Sequence, residues 1–190
     1  IALQEMGARA LPGLGRTQRA GDAALPPQVE ILTSGTTGPP KPFRLSYEMI
    51  AKHFVGPLPT DAGAAGDAAS LPPALMYFPV GNISGLYSTL PPLLRGQRVV
   101  LLERFNVAEW HDHLLRFRPA AGGLPPAAIQ MVLDADIPPA DLGCLRYLGA
   151  GAAPLDPAVQ RAFEERYGVP ILLSYGATEF GGPVSAMTLE

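Results

Sequence analysis

From about residue 74 to residue 174, short apolar runs bounded by Gly and Pro alternate with longer stretches of helical periodicity, and this alternation limits the fold more than any other feature. Residues 74–78 read as a strand, 83–94 as a helix bent near Pro91 and Pro92, and 98–103 as a second strand. Asn106 caps a helix to about Phe117, residues 120–124 form a short strand, and Pro125 and Pro126 open a helix to about Asp134. Residues 145–148 are a strand, 156–167 a helix and 171–174 a strand. Elements in this order join through right-handed βαβ crossovers, which predicts an α/β fold: a largely parallel sheet with helices on both faces. The 22 prolines and 21 glycines fall between the apolar segments and so punctuate the fold.

Upstream the chain is less regular. Residues 1–28 read as an irregular lead-in, and 29–190 as the domain proper. Residues 29–33 are a short β-branched strand, and Ser46 caps a helix to about Val55 with Glu48 in its first turn. Residues 56–73 read as a connection. With 47% hydrophobic residues the chain can build a core, while a net charge of -3 and 16% charged residues give no basic field for nucleic acid. No run reaches the roughly 18 apolar residues of a membrane span, and the start lacks a signal-peptide pattern. The single cysteine, Cys144, fits a reducing, cytoplasmic setting and reads as a small buried filler. His111 and His113 read as surface residues, and Arg161, Glu164, Glu165 and Arg166 as a solvated helix face.

Two motifs follow predicted strands, where an open α/β sheet places its ligands. The first is Thr33-Ser34-Gly35-Thr36-Thr37-Gly38-Pro39-Pro40-Lys41. Its glycines let backbone N–H groups turn towards a phosphate chain, its hydroxyls add donors, and Lys41, one of only two lysines, adds a cation. A Walker phosphate loop is excluded, because two prolines alone separate Gly38 from Lys41. The second motif is Tyr175-Gly176-Ala177-Thr178-Glu179. Between them, Gly149, Ala150, Gly151, Ala152 and Ala153 carry at most a methyl group, so a flat base and an acyl group can approach the backbone.

Read with Leu32, the first motif resembles the signature of the adenylate-forming superfamily, which includes acyl- and aryl-CoA ligases, luciferases and peptide-synthetase adenylation domains. The resemblance continues in order through Pro79 to Leu86, Leu145 to Pro154 and Tyr175 to Glu179, and so covers nearly everything from Val29 onward. It implies one subdomain of that superfamily's large N-terminal domain, with the N-terminal subdomain and the small C-terminal domain lying outside residues 1–190. It implies ATP, Mg2+ and CoA as cofactors of an acid-CoA ligase, or a carrier protein in place of CoA. A non-catalytic nucleotide-binding module is the third expectation.

The resemblance also assigns roles. Thr33, Ser34, Gly35, Thr36, Thr37, Gly38 and Lys41 grip the phosphates; Thr178 reaches the α-phosphate; Glu179 holds Mg2+; and Tyr175 packs on adenine with Ser174, Gly176 and Ala177 nearby. Gly151, Ala152 and Ala153 lie behind the base, while Gly149, Ala150 and Asn82 face the acid. Lys41, Thr178 and Glu179 are the catalytic set. The sequence departs from the pattern at Pro42, where glycine is usual, and at Asn82, where CoA ligases often carry histidine. No acid lies between Leu71 and Arg95 to pair with an α-ammonium, so a non-amino carboxylic acid is expected. Asn82 reads as pocket wall in preference to helix cap. The ribose-binding aspartate and a lysine from the C-terminal domain are expected beyond Glu190, which makes this chain a weak nucleotide binder at best.

Overall fold

The computed structural model describes residues 28–33, 39–52 and 70–189. The irregular lead-in expected over residues 1–28, apart from Gln28, which is strand, the loop residues Ser34, Gly35, Thr36, Thr37 and Gly38, and most of the 56–73 connection lie outside them.

Strand β1, Gln28–Thr33, pairs antiparallel with β2, Lys41–Ser46, in a register running from Gln28 opposite Ser46 to Thr33 opposite Lys41. The first motif therefore links the strands of a hairpin, where the sequence had suggested a strand leading into a parallel sheet. Pro42 lies within β2 opposite Leu32. A two-stranded sheet consists of edges, and an edge strand tolerates a residue that cannot donate. Ser46 then caps helix α1, Tyr47–Ile50, its hydroxyl accepting from the Met49 amide at 3.1 Å.

A βαβ unit follows: β3, Ala74–Met76; α2, Ile83–Leu94; and β4, Val99–Leu101, parallel to β3. Helix α3, Val107–Phe117, leads to a four-stranded sheet in the order β5, β6, β7, β8. Its strands are β5, Ala121–Gly123; β6, Tyr147–Ala150; β7, Ile171–Ala177; and β8, Gly182–Ala186, with α4, Pro126–Asp134, and α5, Pro157–Tyr167, as the crossovers. The pairs β5–β6 and β6–β7 are parallel, whereas β7–β8 is antiparallel with an irregularity at Tyr175 and Gly176. Among the described residues the expected largely parallel sheet is divided into three sheets, two of which contain parallel pairs.

Burial explains where the helices go. Leu124, Ile129, Val132, Leu148, Phe163 and Ile171 form the centre of one apolar cluster, joined by Trp110 and Leu114 from α3. Cys144 packs against it, half-buried. Asn106 caps its helix as expected, accepting from the Glu109 amide at 3.1 Å, and Asp156, read as the first helical residue, is the cap of α5, accepting from the Ala158 amide at 2.7 Å. His113 is a correction. It shares the face of Trp110, Leu114 and Phe117 at helical spacing, and so it is buried, at 4% exposure, against the Phe117 ring. His111 meets Asp141 at 2.9 Å and is only partly exposed. The face of α5 read as solvated is exposed at Arg161, Glu165 and Arg166, the last paired with Asp136, while Glu164 is half-buried and accepts from the Ile171 amide at 2.8 Å. No helix among the described residues is long and apolar enough to cross a membrane.

Candidate functional site

The site grows from the ends of β6 and β7, which run side by side with Ala150 opposite Leu173. Beyond Ala150 the chain turns at Gly151, where a Cβ would stand 2.5 Å from the Ser174 hydroxyl oxygen and 3.2 Å from its carbonyl oxygen, so a larger residue would displace that hydroxyl and press on the neighbouring strand end. Ser174 spans the gap by donating to the Ala150 carbonyl at 3.3 Å. Ala152 adopts a left-handed conformation with φ of 68°, uncommon for a residue with a side chain and a feature that marks functional turns.

Two hollows share this wall. The larger, about 820 Å3, is lined by Asn82 and Tyr87 of the α2 segment, by Gly149 and Ala150, and by Ala177 and Thr178. The smaller, about 660 Å3, is lined by Ala153, Pro154, Tyr175 and Ser185. Gly151, Ala152, Ser174 and Gly176 line both. Volumes of this order suit small-molecule ligands.

The structure therefore gathers Asn82, Gly149, Ala150, Gly151, Ala152, Ala153, Ser174, Tyr175, Gly176, Ala177 and Thr178 around two adjoining cavities. It extends β7 through Ala177, so the first three residues of the second motif are strand, held by β8. Thr178 and Glu179 sit in the short 3-10 turn that follows, with the Glu179 side chain exposed. Thr33 and Lys41 line neither cavity; they close the hairpin, the Thr33 hydroxyl donating to the Lys41 carbonyl at 3.2 Å. Asn82 has both of its alternative roles: its side-chain oxygen accepts from the Gly85 amide at 2.8 Å as the cap of α2, and it lines the larger cleft.

Sequence reasoning missed Tyr87, Gly123 and Gly182. Tyr87 lies four residues after Ile83, beside the polar pair Ser84 and Ser88, and a polar stripe in an otherwise apolar helix was a signal for it. Its ring packs on Gly182, where a Cβ would fall 2.1 Å away, and burial raises its hydroxyl pKa above the ordinary tyrosine value. Among the described residues no group of three or more His, Cys, Asp or Glu side chains is placed to hold a metal. Glu179 makes no ion pair there, and an exposed lone carboxylate suits Mg2+, which is commonly held by one or two carboxylates, phosphates and water.

Known proteins resemble this chain in sequence and in fold. The profile of the AMP-binding enzyme family matches residues 26–190. A sulfoacetate–CoA ligase from Cupriavidus necator is 29% identical over 96% of this chain and 36% of its own length. A 4-coumarate–CoA ligase from Arabidopsis thaliana is 32% identical over 88% of this chain and 29% of its own length. The o-succinylbenzoate CoA synthetase of Bacillus subtilis, solved in complex with AMP, superposes with a TM-score of 0.66 at 24% identity, over 84% of this chain and 31% of that one. The chain thus spans about a third of the length of the relatives it matches.

Proposed function

The chain belongs to the AMP-binding enzyme family, and from that membership we propose that its whole protein activates a non-amino carboxylic acid with ATP and passes the acyl group to CoA. The observation that carries this reading is the pair of hollows sharing one wall of glycine, alanine and serine. An acyl-adenylate has two parts to house, a flat base and a tail, joined through a phosphate. The smaller hollow, with Gly151, Ala152, Ala153, Ser174, Tyr175 and Gly176, suits adenine. The larger, with Asn82, Gly149 and Ala150, suits the tail. Residues 29–190 then form part of the family's AMP-binding α/β domain, the remainder of which lies outside them.

The reaction asks for positioning and charge compensation. A carboxylic acid with a pKa of about 4 is already ionised at neutral pH, so its oxygen needs no general base. That oxygen attacks the α-phosphorus, the bond to the departing pyrophosphate breaks, and acyl-AMP remains. Two anions must meet, so the site has to neutralise charge and hold the groups in line. Lys41 and the loop Thr33, Ser34, Gly35, Thr36, Thr37 and Gly38 are assigned to the pyrophosphate side, and Thr178 to the α-phosphate. Glu179 is assigned to Mg2+, which when bound supplies Lewis-acid stabilisation of phosphoryl charge. CoA is preferred over a carrier protein as acceptor because the relatives are named as CoA ligases.

Acid-dependent exchange of pyrophosphate into ATP by the full-length protein, followed by thioester formation with CoA, is the expected result. ATP turnover indifferent to added acid would overturn the reading, and acyl transfer only to a carrier protein would correct the acceptor.

A further inference from the structure

The larger cleft also describes the tail it receives. Among the described residues that line it, no side chain is charged. A second carboxylate, a sulfonate or an ammonium on the tail would enter without a counter-charge, and an unpaired charge removed from water is strongly disfavoured. The rings of Phe78, Tyr87 and Tyr147 supply broad apolar surfaces, and backbone at Gly123 and Gly149 supplies thin ones. Walls of this kind suit a planar aromatic group, which buries a large area and stacks or packs edge-on against other rings.

Gly123 lines the cleft from β5, an edge strand of the sheet. At the preceding residue, Gly122, an added Cβ would press on Leu148 at 3.3 Å and approach Leu145 at 3.9 Å. Alternation along β5 turns Gly123 to the opposite face, where a Cβ would meet only the Gly149 carbonyl at 3.8 Å. The space beyond is open, and Gly123 is exposed although it lies in a paired strand. Its peptide is held in place from behind, because the Tyr77 hydroxyl donates to the Gly123 carbonyl. Burial raises that hydroxyl's pKa well above the ordinary range, which keeps it protonated as a donor. On the β8 side, the contact of Tyr87 with Gly182 closes the space.

We propose that the cleft admits a carboxylic acid with an uncharged, planar aromatic tail, and that Gly123, by leaving its side-chain space empty, sets how far that tail reaches. This rests on the acid-activating reading of the site and adds a substrate class and a gating residue to it. The test is pyrophosphate exchange by the full-length protein with four kinds of acid: arylpropenoic acids, benzoic acids, dicarboxylic acids and aromatic amino acids. The aryl acids without a second charge should exceed the charged analogues by about tenfold or more in kcat/KM, a discrimination of the size that pocket contacts produce. In Gly123→Leu the ratio of arylpropenoic to benzoic acid should fall by about tenfold, and in Gly123→Ala by a smaller factor.

Equal use of dicarboxylic or amino acids would overturn the charge argument. An unchanged ratio in both variants, whatever their absolute rates, would overturn the role of Gly123. Either result leaves acid activation standing, whereas no exchange with any acid removes that reading and this inference together. Saturation-transfer NMR of benzoic and arylpropenoic acids on the wild type and Gly123→Ala reads the cleft independently of catalysis. Selective loss of the longer acid's signal in the variant supports the gate, and equal signals refute it.

Discussion

The β1–β2 hairpin and the β5–β8 sheet are assigned opposite ends of the same nucleotide, and they are held together by different forces. The sheet is built on burial: Leu124, Ile129, Leu148, Phe163 and Ile171 are all at or below 1% exposure. The hairpin buries only Ile31 and Leu45 among its described residues, leaves Leu32 62% exposed, and packs chiefly on itself and α1. Its cross-strand ion pair, Arg44 with Glu30 at 3.3 Å, is exposed at both ends and adds little stability. The comparison suggests a division of labour. On the proposed assignment, the base and acyl ends are shaped by a packed core, while the phosphate end depends on backbone pairing that sets Thr33 opposite Lys41. Changes in the sheet should unfold the protein, and changes at the hairpin end should disable it while leaving it folded.

The largest expected effect is on the core. Phe163→Ala should cost about 3–5 kcal/mol in urea denaturation, while Leu32→Ala should stay within about 0.5 kcal/mol. Similar costs for the two would break the comparison. Next come the charged groups: Lys41→Ala and Glu179→Gln should each lower pyrophosphate exchange about a hundredfold, as loss of a charge-stabilising group commonly does, with unchanged unfolding midpoints. A shifted midpoint would mean that these exposed residues carry structure.

A smaller effect sits where the two roles meet. Asn82→Ala removes the α2 cap and should cost about 1 kcal/mol of stability, and it should raise KM for the acid more than for ATP. The smallest is a pH effect from His113, whose pKa burial pushes below the ordinary value, opposed by Asp112 and a backbone hydrogen bond with Pro73 and reinforced by Arg116. The unfolded chain then takes up the proton first, so stability is complete above pH 6.5 and falls as the pH drops towards the folded-state value. Denaturation midpoints between pH 7.5 and 5 should show a downward slope that His113→Leu flattens.

Much of the fold was legible because helices announce both ends. Asn106 caps its helix as read, the helix read as 156–167 spans Pro157–Tyr167, and α2 spans Ile83–Leu94 as expected. Strands were less clear, for physical reasons. Leu145 looked like the start of β6, yet it lies in a turn, its amide bonded to the Leu142 carbonyl at 2.9 Å, and it is apolar because the turn is buried. Tyr175, Gly176 and Ala177 looked like loop, because nothing local reveals that residues from Gly182 onward come back to pair with them. The hairpin was hidden by Pro42, which argues against a central strand but is permitted at an edge. At the site, motif residues drew notice through their small size and hydroxyls. Gly123 and Gly182 escaped it, since a glycine's importance depends on what stands opposite, here Gly149 and Tyr87.

If the shared wall of Gly151 and Ser174 separates base from tail, a crystal structure of the full-length protein with a non-hydrolysable acyl-adenylate analogue will show the two parts on opposite sides of it. Adenine is expected in the smaller hollow, against Gly151, Ala152, Ala153 and Tyr175, with the acyl tail in the larger cleft beside Asn82, Tyr87 and Gly123. Adenine seated in the larger cleft, or a tail outside both hollows, would contradict it.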